Sequence, residues 1–190
     1  MKRIAIFISG RGSNMKAIVE QCKNGILKGV AEPVLVFSNQ PEAEGLIYAK
    51  NIGINTESIA SKGIKRVEFD NKVINLLEEY KPDYIVLAGY MRILSPDFIQ
   101  KYPKKIINIH PADTTKHQGL HGYEWAWENK LNESKITVHF VDEGLDTGSI
   151  IAQEKVNLEG VKSLDEVEDR GLAVEHQLYS VTLKKIFENS

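Results

Sequence analysis

Short apolar runs alternate with segments of helical periodicity from one end of the chain to the other. The strongest run, Tyr84–Ala88, is apolar at every position, which is typical of a parallel strand covered on both faces. The pattern predicts strands at Ile4–Ser9, Pro33–Ser38, Asn55–Ile59, Tyr84–Ala88, Ile106–His110, Ile136–Val141 and Ile150–Val156. It predicts helices at about Asn14–Asn24, Ala43–Asn51, Arg66–Tyr80, from Ser95, at Tyr123–Asn129 and at Ser163–Phe187.

Two of the helix starts carry capping signals. Ser95 precedes Pro96, which suits the first helical position, and Ser163 followed by Glu166 forms a capping box. Strand–helix alternation of this kind predicts an α/β fold with a doubly wound, mostly parallel sheet. A modest loop joins the last two strands, so we expect an antiparallel strand towards the C-terminal end. Without repeats or linkers, residues 1–190 are expected to form a single domain.

Composition narrows the class of protein. A hydrophobic content of 42% and a charged content of 26% are ordinary for a globular protein. The formal net charge of -2 disfavours a nucleic-acid partner. The single cysteine, Cys22, excludes an internal disulfide and a thiolate metal cluster, and it fits a reducing, cytoplasmic setting. The apolar run after Met1–Arg3 is too short to cross a membrane and enters a glycine-rich turn, so it is interpreted as the first strand.

The stretch Ile106–Pro111 ends a buried strand with polar groups. Period-2 alternation places Asn108 and His110 on one side of the strand, with Ile107 and Ile109 on the other. Histidine can transfer a proton near neutral pH, and an amide N–H can stabilise an oxyanion. Asn108 and His110 are therefore candidate catalytic residues, although a core histidine beside a turn-forming asparagine would show the same pattern.

The segment Gly10–Asn14 links the first strand to the first helix. Glycines let backbone N–H groups approach an anion, and the helix N-terminus adds partial positive charge, so a phosphate is the expected ligand. The segment is not a Walker loop, and Met15 stands at the third glycine of the dinucleotide fingerprint. The alternative is a tight turn with Asn14 as a helix cap. This loop, Leu87–Leu94 and the end of the Asn108/His110 strand should share one crevice.

Two carboxylates and the other histidines complete the candidates. Asp146, between Leu145 and Thr147, is the acid of its loop most suited to face inward, where it would raise the pKa of His110. Glu175 flanks the apolar stripe of the last helix and is either a paired buried group or ordinary surface. No metal is expected at His117 and His121, because no helix or cysteine supports them. His139 is interpreted as structural.

In these motifs the chain resembles the phosphoribosylglycinamide formyltransferases, a branch of the folate-dependent formyltransferases. The resemblance covers essentially the whole chain. It rests on the segments Ile8–Asn14, Phe37–Asn39, Leu87–Ser95, Asn108–Pro111, Gly119–His121, Val138–Val141 and Leu145–Gly148. The Asn-x-His pair with the later aspartate is shared by folate-dependent formyltransferases in general, whereas the Ser9–Asn14 loop is characteristic of this branch.

The resemblance implies a Rossmann-like formyltransferase fold and transfer of the formyl group of 10-formyltetrahydrofolate to the amine of 5'-phosphoribosylglycinamide in purine biosynthesis. It implies a catalytic trio of Asn108, His110 and Asp146. It implies substrate binding by Gly12, Ser13, Asn14 and Glu175. It implies folate binding by Arg66, Met91, Arg92, Ile93, Leu94, Asn108, Asp142, Glu143, Gly144, Leu145 and Asp146.

Two departures from the family pattern bear on the acceptor. Many relatives continue His-Pro with Ser or Ala and then Leu-Leu-Pro, whereas this chain has the polar segment Ala112–Gln118. Leu172 stands where a polar residue often assists Glu175. Three alternatives therefore stay open: a formyltransferase for another amine such as an amino sugar nucleotide, a formyltetrahydrofolate hydrolase, and a non-enzymatic nucleotide- or folate-binding module. The expected assembly is a monomer or a homodimer.

Overall fold

A seven-stranded sheet lies at the centre of the computed structural model, which describes all 190 residues. The strands are β1 (Lys2–Ile8), β2 (Ala31–Ser38), β3 (Thr56–Ser58), β4 (Tyr84–Leu87), β5 (Ile106–His110), β6 (Glu133–Phe140) and β7 (Ile150–Asn157). The helices are α1 (Ser13–Asn24), α2 (Glu44–Asn51), α3 (Arg66–Tyr80), α4 (Pro96–Lys101), α5 (Gly122–Glu128) and α6 (Leu164–Glu188). Every predicted element is present.

The strand order is β3-β2-β1-β4-β5-β6-β7. The strands from β3 to β5 pair in parallel, while β6 is antiparallel to both β5 and β7. This arrangement confirms the predicted mostly parallel sheet with an antiparallel strand near the C-terminal end. The order reverses between β1 and β4, which creates the crevice at the carboxyl ends of the strands where α/β proteins bind ligands.

Two apolar cores cover the two faces of the sheet. Alternate residues of β1 serve both, because Ile4, Ile6 and Ile8 join a cluster of 26 buried residues while Ala5 and Phe7 join a cluster of 15. The larger core includes residues of α1, α5 and α6, and the smaller core includes residues of α3 and α4. Burial on both faces explains why the central strands are apolar at nearly every position.

The observed element bounds follow local signals closely. Ser95 Oγ accepts from the Phe98 N–H at 3.3 Å, and Ser163 Oγ accepts from the Glu166 N–H at 3.2 Å, so both predicted caps are present. The largest difference is β6, which begins at Glu133 rather than Ile136. Its first residues pair with Asn157 and Val156 of β7, a tertiary contact that the apolar pattern does not reveal. None of the helices combines the length and apolar composition needed to cross a membrane.

Helix α6 is tied to the sheet beside the crevice by one buried hydroxyl. Tyr179 Oη lies 2.8 Å from the carbonyl oxygen of Leu87 and 3.0 Å from that of Ile107. These carbonyls belong to β4 and β5, next to the strand ends that carry the candidate chemistry. Tyr179 therefore fixes α6, including Glu175 one turn earlier, against those two strands.

Candidate active site

The loops after β1 and β4 meet at the switch point, as predicted. The Ser9 N–H donates to the Gly89 carbonyl at 3.1 Å, and the Met91 N–H donates to Ser9 Oγ at 2.8 Å. The Ser9 hydroxyl in turn donates to Asn39 Oδ1 at 2.5 Å. The predicted phosphate loop and the predicted folate segment are therefore joined through Ser9 at one crevice.

His110 and Asp146 form a buried pair at the end of β5. Nδ1 of His110 lies 3.4 Å from Oδ2 of Asp146, and the two side chains are 4% and 11% exposed. The sequence predicted that Asp146 faces inward, and the structure places it against His110 as expected.

The other nitrogen of His110 determines where its proton lies. Nε2 is 3.0 Å from the carbonyl oxygen of His117, which can only accept a hydrogen bond. Nε2 therefore carries the hydrogen, and Nδ1, the nitrogen facing Asp146, is the one that gains or loses a proton.

Burial changes the electrostatic expectation for His110. Desolvation of the ring lowers the pKa of His110 below its ordinary value, and the raising effects of the Asp146 charge and the His117 carbonyl only partly offset it. The sequence argument predicted a raised pKa. The Asp146 contribution has the predicted sign, but the net direction is wrong because the depth of burial was unknown.

Asp146 is held by several groups and by a constrained backbone. Its Oδ2 accepts from the Gly119 N–H at 2.8 Å, and its φ of 54° lies in the left-handed region that few non-glycine residues adopt. Burial acts to raise the pKa of its carboxyl, but the His139 contact, the His110 charge and the Gly119 N–H outweigh it and leave the pKa lowered. Asp146 therefore stays ionised beside His110.

His139 belongs to this site, although the sequence interpretation treated it as structural. Its Nδ1 lies 2.8 Å from the Phe140 carbonyl, so Nδ1 carries a hydrogen, and its Nε2 lies 3.5 Å from Oδ1 of Asp146. Nδ2 of Asn108 lies 3.3 Å from that Nε2 and 3.5 Å from Oδ1 of Asp146. Because β5 and β6 place Asn108 and His139 opposite each other, the missed signal was the pairing register.

The glycine loop presents an unpaired helix N-terminus. Gly12 has a φ of 72°, and a Cβ there would lie 3.0 Å from Cε of Met15. The α1 start has no side-chain cap, so the N–H groups of Ser13 and Asn14 lack helical acceptors and are available to an anion. Asn14 lies inside α1 and its side chain makes no capping hydrogen bond, so it does not have the capping role that the alternative gave it.

Asn14 instead reaches across to α6. Its Nδ2 donates to Oε2 of Glu175, and the Tyr123 hydroxyl donates to Oε1 of the same carboxylate. Glu175 is 5% exposed, so it is a buried partnered group and not surface. Burial raises the pKa of Glu175, and the hydrogen bonds from Tyr123 and Asn14 only partly oppose this. The other amide atom of Asn14, Oδ1, is buried and has no hydrogen-bond partner.

The predicted folate-binding residues divide into two groups. Met91, Ile93 and Leu145 are large apolar side chains with exposures of 63%, 50% and 47%, which leaves them free to contact a ligand. Leu94 is buried in the smaller core, so only its backbone is available. The Arg92 guanidinium stacks 4.3 Å from the Phe69 ring centroid.

The polar residues predicted to bind folate differ in their surroundings. Arg66 is exposed at the start of α3. The Asp142 side chain accepts from Gly144 N–H and the Thr147 hydroxyl, and Glu143 lies beside Gln100. In this loop only Asp146 reaches His110.

The unusual segment after Pro111 is anchored by Asp113, which the sequence argument did not single out. Oδ2 of Asp113 lies 3.2 Å from Lys135 Nζ, while Oδ1 accepts from the Thr115 hydroxyl at 2.7 Å and from Gln153 at 3.3 Å. Burial opposes these contacts, yet they lower the pKa of Asp113 to about 2. The Asp113 carbonyl also accepts from the His117 N–H at 2.9 Å, which sets the turn that brings His117 to His110.

The fold and these contacts define a class of protein: a doubly wound α/β protein with a buried His–Asp pair and an uncapped helix N-terminus at the ends of its parallel strands. Residues 2–183 match the formyl transferase family. The chain is 41% identical over 181 residues to the phosphoribosylglycinamide formyltransferase of Escherichia coli, a match that covers 95% of this chain and 84% of that protein.

Solved structures agree. The phosphoribosylglycinamide formyltransferase of Bacillus halodurans superposes with a TM-score of 0.92 at 38% identity, covering 97% of this chain and 95% of that one. The glycinamide ribonucleotide transformylase 1 of Symbiobacterium toebii superposes with a TM-score of 0.93 at 32% identity, covering 100% and 89% of the two chains. The chain therefore belongs to the formyl transferase family, among its phosphoribosylglycinamide formyltransferases.

Proposed function

We propose that this enzyme transfers the formyl group of 10-formyltetrahydrofolate to the amine of 5'-phosphoribosylglycinamide. The observation that carries the acceptor assignment is that Asn14 links two parts of the site. Its backbone opens the anion-binding end of α1, while its side chain contacts Glu175, 161 residues further along the chain. A ligand with a phosphate at one end and an amine at the other suits such a site.

Each group then has a role in binding. The N–H groups of Gly12, Ser13 and Asn14 hold the phosphate at the helix N-terminus. Glu175 receives the amine, because a buried carboxylate is stabilised by a cationic or hydrogen-donating partner. The exposed apolar side chains of Met91, Ile93 and Leu145 suit the flat pterin ring of the folate.

The chemistry needs one proton to leave the amine and one to reach the folate. The free amine attacks the formyl carbon, a C–N bond forms, and negative charge develops on the formyl oxygen. Asn108 Nδ2 and protonated His110 stabilise this oxygen, and Asp146 stabilises the charged imidazole. Collapse of the intermediate breaks the bond to the folate nitrogen, and the proton lost by the attacking amine reaches that nitrogen through water ordered by Asp146.

The Ala112–Gln118 segment affects this step directly. The His117 carbonyl accepts a hydrogen bond from Nε2 of His110 at 3.0 Å. A substrate oxygen that takes its hydrogen bond from Nε2 must displace that carbonyl. The segment is therefore part of the acceptor side of the site.

The test is formyl transfer from 10-formyltetrahydrofolate with 5'-phosphoribosylglycinamide as acceptor, run beside an acceptor-free control. We expect transfer that depends strictly on the ribonucleotide. Release of formate without an acceptor would indicate a hydrolase. Silence in both reactions, with folate still bound, would leave another amine as the substrate and would make the Asp113–Gln118 segment the next place to test.

A further inference from the structure

Tyr123 occupies a place that exists only because residue 171 is a glycine. A Cβ on Gly171 would overlap the Cε1, Cζ and hydroxyl atoms of the Tyr123 ring. Gly171 is buried within α6, where glycine is otherwise a poor helix residue compared with alanine. The missing side chain therefore makes the room in which α5 packs its tyrosine against α6.

The hydroxyl that fits into this space contacts the carboxylate of Glu175. Tyr123 donates to Oε1 from α5, and Asn14 donates to Oε2 from α1, so the two donors fix both carboxylate oxygens from opposite elements. Burial and the Glu175 charge hold the pKa of the Tyr123 hydroxyl far above its ordinary value, so it remains a donor throughout the physiological range. Leu172, next to Gly171, supplies no polar group for this purpose.

We propose that Tyr123, admitted by Gly171, is the positioning residue of the acceptor-amine site: it holds Glu175 so that the carboxylate and Oδ1 of Asn14 together receive the amine. The proposal rests on the function proposed above and names a further specificity determinant of the same site. Oδ1 of Asn14 supports it independently, because this atom is buried without a partner beside Glu175 and is an acceptor that an amine can use.

The proposal predicts a pH effect with a definite sign. The titratable groups around Glu175 are Tyr123 on α5 and Tyr179 on α6, with Glu168 acting on Tyr123. The tyrosine hydrogen bond lowers the pKa of Glu175. Its removal therefore raises that pKa, and amine binding that needs the carboxylate is lost at a higher pH than in the wild type.

The first experiment compares Tyr123→Phe with the wild type, using the amine that the wild type formylates. We expect KM for the amine to rise about tenfold to a hundredfold, as for a lost hydrogen bond to a charged group, with a much smaller change in KM for the folate. The acid limb of kcat/KM should move to higher pH. Tyr80→Phe is the matched control. The Tyr80 hydroxyl also donates to a glutamate, Glu57, over 2.8 Å, but this pair lies outside the crevice.

The second experiment tests the role of Gly171. Gly171→Ala should reproduce the KM change of Tyr123→Phe, since the added methyl displaces the ring. In a Tyr123→Ala background the same substitution should have little further effect on KM, which a general loss of α6 structure would not give. Circular dichroism establishes that each variant is folded.

The outcomes separate this role from the function itself. A wild-type enzyme that formylates no amine overturns the proposed function and this role with it. An active wild type, together with a folded Tyr123→Phe variant of unchanged KM and unchanged acid limb, overturns the role of Tyr123 alone.

Discussion

At the scale of single residues, His110 shows how a fold sets the chemistry of a side chain. Its Nε2 is committed to the His117 carbonyl, and its Nδ1 faces Asp146. Burial lowers the pKa of His110. The negative charge of Asp146 is the largest influence that favours the protonated imidazole. The pair therefore acts as one unit, and a change in either member affects the other.

We predict that Asp146→Asn lowers the pKa of His110 further, because it removes the main influence that raises it. If protonated His110 is required, the alkaline limb of kcat must then move to lower pH, and turnover at neutral pH must fall by about 10²- to 10⁴-fold. His110→Ala should lose a similar factor with little loss of fold. The measurement is kcat against pH, with circular dichroism as the check on folding.

His176→Gln serves as the control for these variants, because His176 lies on α6 in a groove against α1, away from the His–Asp pair. It should keep wild-type turnover. Near-wild-type turnover in His110→Ala or in Asp146→Asn would contradict the proposed roles.

At the scale of elements, the segment after β5 is ordered by a buried carboxylate. The Asp113 side chain is 8% exposed and connects its turn to Lys135 on β6 and Gln153 on β7. The antiparallel end of the sheet thus supports the loop that contacts His110. Asp113 and its polar partners therefore hold this loop in place.

We predict a pH-dependent contribution of Asp113 to stability. Since its pKa is lowered to about 2, its stabilisation is complete above the ordinary carboxyl pKa and is lost as the pH falls through about 2. Between about pH 6 and about pH 3 the unfolding free energy of the wild type should fall by about 1 kcal/mol more than that of Asp113→Asn. Urea titrations at each pH measure this difference.

Asp169→Asn is the matched control, because Asp169 is exposed on α6. Its unfolding free energy should follow the wild type across the same pH range. An Asp113→Asn variant that does the same would contradict the anchoring role.

At the scale of the whole molecule, one sheet joins the two cores. β1 contributes alternate side chains to the cluster of 26 buried residues and to the cluster of 15, so neither core can form its full set of contacts without the other. The switch-point crevice lies at the strand ends that both cores support. The site is therefore expected to share the stability of the entire sheet.

We predict a single cooperative unfolding transition for residues 1–190, in keeping with a single domain. Trp125 and Trp127 both lie in α5 and report from one face of the sheet, whereas far-ultraviolet circular dichroism reports on all elements. The two probes should give the same urea midpoint. A Tyr102→Trp variant reports from the smaller core, and a separate midpoint from that probe would contradict the prediction.

The amino-acid sequence alone determined the elements and their class. Periodicity identified the strands and helices because side-chain spacing is a local property, and the Ser95 and Ser163 caps depend on residues at most three positions away. The same local rule placed Asn108 and His110 on one side of β5. Strand–helix alternation was enough to predict the parallel sheet and the crevice at its switch point.

Only the tertiary structure decided how distant groups meet. The Asn14–Glu175 contact spans 161 residues, and the Gly119–Asp146 hydrogen bond spans 27. His139 entered the site through strand register, and Asp113 found its partners on two later strands. The direction of the His110 pKa shift also belongs to this level, because burial is produced by all the elements packed around a residue and no local pattern encodes it.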